Sequence, residues 1–288
     1  MRQPLIDSAS LIPLRRSLLA TRVAVRAPTS SLRLLPDFLI IGTQRGGTTS
    51  LYQYIAMHPD VAVPIKKEIQ YFTLHYGRGE SWYRSHFPTA LGNSTRRRKL
   101  TFEATPYYLL HPHTPTRVAE TLPDTRIIVL LRDPVLRAFS HYRHTRERNL
   151  EPLSFEAAIE AEPRRLAGIG DRMERDPTLN SRSHQLFSYV TRGIYVDQLR
   201  RWMDVFPKDR LLVLRSEDLY RNTSGIYAEV LEFLHLRSLD LGFYPAFTER
   251  RSDNPKIPPV AKAHLRELFA PHNARLASLL GRDMAWDG

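Results

Sequence analysis

Three stretches of this chain are apolar at every position rather than at alternate ones: Phe38-Leu39-Ile40-Ile41, Ile127-Ile128-Val129-Leu130-Leu131 and Leu211-Leu212-Val213-Leu214. A strand with one solvated face alternates, whereas a strand buried on both faces does not. These runs therefore predict central strands of a parallel sheet covered by helices. Leu100-Thr101-Phe102-Glu103 predicts a fourth, shorter strand. Helical patterns separate them. Residues 48–57 follow a glycine turn, and 134–148 open on Pro134, whose absent N–H costs nothing in a first helical turn. Apolar or aromatic residues at 195, 196, 199, 202 and 205 predict a helix over 194–205, and the segments 224–235 and 259–280 complete the set. Residues 161–182, rich in Arg, Gly, Pro and Asp, predict a flexible surface excursion. There is no internal repeat. The pattern implies one α/β domain over 36–288, a central and mainly parallel sheet flanked by helices.

The stretch ahead of the first strand differs in character. Residues 1–36 hold six arginines (2, 15, 16, 22, 26 and 33) against one acid, Asp7. Residues 1–35 read as a basic, weakly ordered tail, although a transit peptide or a membrane-surface helix has the same composition. No run of about 18 apolar residues, the length a membrane span needs, occurs anywhere.

Charge sharpens the choice of partner. Lys+Arg total 42 and Asp+Glu 30, a net charge of +12 on 288 residues. Such a surface favours anions: nucleotides, nucleic acid, acidic glycans or lipid. Only six of the basic residues are lysines. Guanidinium groups bind phosphate and sulfate bidentately, and genome base composition gives the same bias. With no cysteine in the chain, disulfides, thiolate metal sites and cysteine nucleophiles are excluded. The composition fits a cytoplasmic enzyme whose tail touches a membrane surface; oligomeric state is not legible.

The strongest chemical signal is DFLIIGTQRGGTTSLYQYI, residues 37–55. A strand, a glycine turn and a helix start form a nest of backbone N–H groups for an anion, and Thr48, Thr49 and Ser50 add hydroxyls. The spacing of Gly42 and Gly47 is that of a P-loop, so the fold reads as P-loop-like with three layers. Thr48, however, stands where that motif needs its lysine, and the cation comes earlier, at Arg45. A second signal is RIIVLLRDPVLRAFSHYRH. Arg132 ends the strand and Ser140 follows two helical turns on. Ligands of such sheets bind beyond the carboxyl ends of the strands, so these residues and the glycine loop can grip two anionic groups of one nucleotide.

GTQRGGTTSLY and RIIVLLRDPVLRAFSHY together resemble the two signature motifs of the sulfotransferase family, in its heparan-sulfate and carbohydrate branch with bacterial counterparts. HPDVAVPIKKEIQYF, GESWYRSHFP, EATPYYL, RGIYVDQLRRWMDVFP and APHNARLASLLGRDMAW extend the likeness over residues 36–287. The resemblance implies a donor, 3′-phosphoadenosine 5′-phosphosulfate (PAPS), with 3′-phosphoadenosine 5′-phosphate (PAP) as product. Backbone N–H groups of residues 45–49, including Gly46 and Gly47, and the Thr48 and Thr49 hydroxyls would hold the phosphosulfate. Arg132 and Ser140 would hold the 3′-phosphate. Metal is not implied, because arginine and N–H donors supply the charge. Arg45 replaces the family's usual lysine and would neutralise the bridging oxygen as sulfate leaves. Tyr195 in RGIY resembles a position near the nucleotide. Arg250 and Arg251 lie where a late basic loop closes over the donor.

For the acceptor, Glu68 in KKEIQYF matches the general base of the heparan-sulfate branch. Lys67, Glu103, Tyr107 and Tyr108 are expected to line the acceptor cleft. Ala104 stands where the heparan-sulfate enzymes often carry lysine, which leaves a glycan, a lipid or a small metabolite open as acceptor. His75, His111 and His113 are the rivals of Glu68, and none sits in a matching motif. The reading is thus an enzyme that transfers a sulfuryl group to a hydroxyl, with no nucleic-acid partner. A P-loop kinase with a degenerate loop and a non-catalytic polyanion-binding module are the alternatives.

Overall fold

A computed structural model describes residues 12–90, 98–247 and 256–286. Five strands form one parallel sheet: β1 (Phe38–Gly42), β2 (Val61–Ala62), β3 (Leu100–Ala104), β4 (Arg126–Leu131) and β5 (Leu211–Arg215). Their order across the sheet is β2-β3-β1-β4-β5. All four strands expected from the apolar runs are present; the two-residue β2 is too short for any periodicity to signal it.

Each central strand feeds two cores at once. Leu39 and Ile41 of β1, with Ile127, Val129 and Leu131 of β4, pack on one face. Phe38 and Ile40, with Ile128 and Leu130, pack on the other. All of these side chains are inaccessible to water. The unbroken apolar runs are therefore two period-2 patterns superposed, each satisfied by its own helical layer.

The helices are α1 (Ile12–Arg26), α2 (Thr48–Ala56), α3 (Gly79–Arg84), α4 (Thr114–Thr121), α5 (Pro134–Glu147) and α6 (Phe155–Leu166). They continue as α7 (Ile169–Arg175), α8 (Arg182–Leu186), α9 (Tyr195–Met203), α10 (Ser216–Arg221), α11 (Thr223–Phe233) and α12 (Pro259–Leu280). Leu199 and Trp202 of α9 cover one face of the sheet. Leu51 and Ile55 of α2 cover the other, with Tyr227, Val230 and Leu231 of α11.

Two expectations change. The excursion predicted over 161–182 is largely helical, because Ala161 and Glu162 of α6 and Met173 of α7 are buried. The Glu162 carboxylate accepts from the Val190 and Thr191 amides at 2.7 and 2.8 Å, which ties the segment to the chain ahead of α9. Its charged, Gly- and Pro-bearing composition belongs to the outer face of short helices. The stretch expected to be weakly ordered contains α1, followed by a 3-10 turn over Ala27–Leu32. Val23 and Leu34 are buried, and the guanidinium groups of Arg26 and Arg33 both donate to the Phe87 carbonyl.

The strand order reverses between β1 and β4, the switch point at which sheets of this kind carry a crevice. The chain proceeds from β1 outward to β2 and β3 on one side, then crosses to β4 and β5 on the other. The carboxyl ends of the adjacent β1 and β4 lie at this switch point.

Candidate functional site

The glycine loop leaves β1 at that switch point. The Gly46 amide donates to the Thr43 carbonyl at 2.9 Å, and the Gly46 carbonyl accepts from the Ser216 hydroxyl. A side chain at Gly46 would come within 2.7 Å of Thr43 Cγ2 and 2.9 Å of the Leu130 carbonyl oxygen, so only glycine fits. Gly47 sits in the left-handed region, with φ of 90°, and starts α2 with no side chain capping it. The first amides of a helix have no intrahelical acceptor, so those of Thr48, Thr49 and Ser50 present the positive end of the helix dipole to a ligand. One expected donor drops out: the Gly46 N–H turns inward to close the loop. Ser216 and Tyr220 belong to RSEDLY, which thereby braces this loop; the Tyr220 hydroxyl lies 2.9 Å from where a Gly47 Cβ would stand.

Arg132 follows β4. Its neighbour Asp133 is not its ion-pair partner. The Asp133 carboxylate caps α5 by accepting from the Val135 and Leu136 amides at 2.8 and 3.2 Å, and it pairs with Arg266 at 3.0 Å. Arg132 instead crosses to the glycine loop, where its Nη1 donates to the Arg45 carbonyl at 2.9 Å. Arg45 has φ of 69°, and its Nε donates to Ser140 Oγ at 3.0 Å. Three residues singled out in two separate motifs therefore converge. Desolvation first, and the Arg132 charge second, hold the Arg45 guanidinium below its usual range. Two guanidinium groups thus meet at this corner of the loop, Arg45 on the Ser140 hydroxyl and Arg132 on the Arg45 carbonyl, and an anion would offset their charge. A cleft of about 350 Å³ lined by Phe139, Tyr142 and Arg143 lies along α5 beside Ser140, but Arg45, Lys67 and Glu68 do not line it.

Tyr195, expected near the nucleotide, is packed in the core. It is 1% exposed, and its hydroxyl donates to the Arg132 carbonyl at 2.8 Å, so it holds Arg132 from behind. The first turn of α9 packs into the core, and its aromatic ring goes with it. Arg250 and Arg251 lie outside the described residues.

At the first turn of α2, Lys67 Nζ donates to Thr49 Oγ1 at 3.3 Å and lies 3.7 Å from Glu68 Oε1. The side chains of Lys67 and Glu68 are 19% and 36% exposed, so both reach solvent. Desolvation lowers the Lys67 ammonium from its usual range, against the raising effect of Glu68.

The expected acceptor wall divides in two. Glu103 is fully buried and its oxygens are occupied by the hydroxyls of Tyr83, Tyr108 and Thr105 at 2.6, 2.7 and 2.7 Å, and by the Gln70 amide at 3.3 Å. Tyr108 is equally buried. Both lie beneath the surface, not on it, because Glu103 points into the core from β3. Both hold the segment after Glu68 from below, Glu103 through the Gln70 amide and Tyr108 through the Phe72 amide. Tyr107 is 6% exposed and donates to or accepts from His184 Nδ1 at 2.7 Å. His111 is buried against the Tyr107 ring, and His113 bonds the Met173 carbonyl at 2.6 Å.

Two contributors escaped sequence reading. Arg192, buried, stacks over Tyr107 at 5.4 Å and donates to Gln44 Oε1 in the glycine loop. Burial lowers it to about 10. The available signal was its place two residues ahead of Ile194-Tyr195 in RGIY. His184, which links Tyr107 to this arginine's neighbourhood, carried none.

Comparison with known proteins agrees with this geometry. The model of the sulfotransferase domain matches residues 35–256. The membrane-associated sulfotransferase kil1 of Dictyostelium discoideum is 29% identical over 324 aligned positions, covering 88% of this chain and 67% of the relative. The human heparan sulfate glucosamine 3-O-sulfotransferase 3A1 is 28% identical, covering 93% and 68% respectively. A crystal structure of a sulfotransferase from Alicyclobacillus acidocaldarius superposes with a TM-score of 0.70 at 28% identity, covering 88% of this chain and all of that one.

Proposed function

The chain belongs to the sulfotransferase family, and on that premise we propose that it transfers a sulfuryl group from PAPS to an acceptor hydroxyl by in-line displacement. The observation that supports this most is the convergence of Arg45, Arg132 and Ser140 beside the uncapped N-terminus of α2. One subsite is built of helix N–H groups and hydroxyls, the other of guanidinium groups and a hydroxyl. A ligand with two separated anionic groups matches this donor set, which is the chemistry of a 3′,5′-substituted adenosine. Arg132 and Ser140 would hold the 3′-phosphate, and the Thr48 and Thr49 amides and hydroxyls the 5′-phosphosulfate.

Glu68 is positioned for the acceptor. It sits next to Lys67, which touches Thr49, and so lies on the phosphosulfate side of α2 with its carboxylate partly in water. A carboxylate there accepts the acceptor's proton as its oxygen attacks sulfur. The acceptor class we propose is a hydroxyl carried by an anionic molecule, an acidic glycan or lipid. The +12 charge favours such a partner, and several relatives are named for action on heparan sulfate. No helix among the described residues is long and apolar enough to cross a membrane.

The deciding experiment is a thermal-shift titration with PAP beside 5′-ADP and ATP–magnesium. Selective stabilisation by PAP supports the donor site, because a ligand of the native state raises its stability. An equal response to all three would defeat the reading.

A further inference from the structure

The glycine loop carries its only cation at Arg45, yet the Nε of that side chain donates to Ser140 Oγ on α5. The cation that bonds Thr49 is an ammonium. Lys67 arrives from a different segment, donates to Thr49 Oγ1 at 3.3 Å, and is tethered 3.7 Å from the Glu68 carboxylate. It also lies over the Tyr52 ring at 5.9 Å, so an α2 aromatic helps hold it in place. The positions of the two cations are complementary: each anion subsite has one that the other lacks.

We propose that the two positive charges have exchanged tasks in this protein. Arg45 reads the 3′-phosphate with Arg132 and Ser140, and Lys67 is the catalytic cation at the bridging oxygen of the phosphosulfate. The inference rests on the donor reading above. In the step, the acceptor oxygen forms a bond to sulfur while the bond from sulfur to the bridging oxygen breaks. The electron pair of that bond stays on the bridging oxygen, which becomes a 5′-phosphate oxygen of PAP. Glu68 takes the acceptor's proton and later returns it to water. Lys67 donates a hydrogen bond to the bridging oxygen as its charge grows and keeps its own protons.

Three physical points favour the exchange. A compact ammonium on a flexible stem serves a single developing charge, whereas a planar guanidinium suits a phosphate dianion with several oxygens. Arg132 donates to the Arg45 carbonyl, so the two guanidinium groups flank one place, and a dianion is the ligand that offsets two such charges. The Lys67–Glu68 contact also sets the cation assigned to the leaving oxygen within 3.7 Å of the carboxylate assigned to the attacking one, so the pair can serve the two ends of a single in-line transfer.

The test separates the two tasks by a binding ratio and a rate. Affinity for PAP and for 5′-AMP, which lacks the 3′-phosphate, is measured by calorimetry for the wild type, Arg45→Met, Lys67→Met and Lys67→Arg, with thermal unfolding of each as a check on folding. Arg45→Met should lower the PAP/5′-AMP affinity ratio by about tenfold or more, consistent with loss of a charge-assisted phosphate contact. Lys67→Met should leave that ratio within about threefold. It should also lower kcat by about 100-fold, the usual cost of one donor at a developing oxyanion. Lys67→Arg should recover part of the rate. If Arg45→Met keeps the wild-type ratio, or Lys67→Met keeps its kcat, the exchange is refuted while the donor reading stands. If the wild type itself does not prefer PAP to 5′-AMP, the donor reading falls first.

Discussion

The hydroxyl of Tyr195 donates to the carbonyl oxygen of Arg132 at 2.8 Å from a fully packed position at the start of α9. A residue in the core thus holds the backbone of the arginine that we assign to the 3′-phosphate. Tyr195→Phe removes the hydroxyl and keeps the ring. We expect a stability loss of about 1 kcal/mol for the unpaired carbonyl, together with a several-fold weaker affinity for PAP and little change in kcat at saturation. Chemical denaturation and calorimetry would check both. Unchanged PAP affinity would show that Arg132 does not depend on this brace.

Glu68 is assigned the acceptor's proton, so its amide isostere should spare binding and stop transfer. For Glu68→Gln we expect kcat to fall by roughly 10²- to 10⁴-fold, the usual range for a general base, with PAP affinity within a few fold of wild type. Single-turnover transfer from labelled PAPS, once an acceptor is found, measures the first and calorimetry the second. Retained activity would move the proton to another group.

Glu103 collects four donors in a site closed to water. Burial raises its carboxyl, and the hydroxyls of Tyr83, Tyr108 and Thr105 oppose that. Glu103→Gln replaces acceptor-only oxygens with an amide that cannot accept from all of these partners. We expect a loss of about 2–4 kcal/mol, typical of a broken buried network. Urea unfolding would measure it, and a loss under 1 kcal/mol would mean that the hydroxyls simply reorient.

Four buried histidines make stability sensitive to acid. Burial, reinforced by nearby arginines, lowers His111 to about 3 and His184 to about 4. His86 falls to about 4, again chiefly through burial, and His141 well below its usual value. Below about pH 6.5 the unfolded chain protonates these rings while the folded protein does not, so stability falls as pH falls, by about 1.4 kcal/mol per pH unit for each fully engaged ring. Carboxyls raised by burial at Glu103, Asp133 and Glu162 act in the opposite sense on further acidification. The histidine contribution should therefore set in near pH 7 and steepen as pH falls toward about 5. Urea midpoints at several pH values would reveal it, and a flat profile across that window would contradict the burial of these rings.

Much of the architecture was legible because it depends on neighbours in sequence. The unbroken run Ile127–Leu131 can only be a strand covered on both faces, and Pro134 after Asp133 can hardly be anything but a capped helix start. Glu103 shows where such reading stops. From EATPYY alone, an acid beside two tyrosines has the look of a cleft lining. Only the packing of α3, which brings Tyr83 over β3, turns it into a buried acceptor. The 161–182 segment failed for a related reason, since the burial of Met173 depends on a surface distant in the chain.

The amino-acid order by itself determined the sheet, the glycine loop, and the presence of Arg45, Arg132, Ser140, Lys67 and Glu68 around it. Each rests on a local rule of periodicity, turn geometry or charge. Tertiary structure decided which way the long side chains point. Arg45 bonds Ser140, and the cation that bonds Thr49 is Lys67. Arg192 reaches Gln44 across 148 residues. A flexible cation takes its direction from the carbonyls, hydroxyls and opposing charges that folding brings within a few ångströms, and those partners are set by packing between elements far apart in the chain.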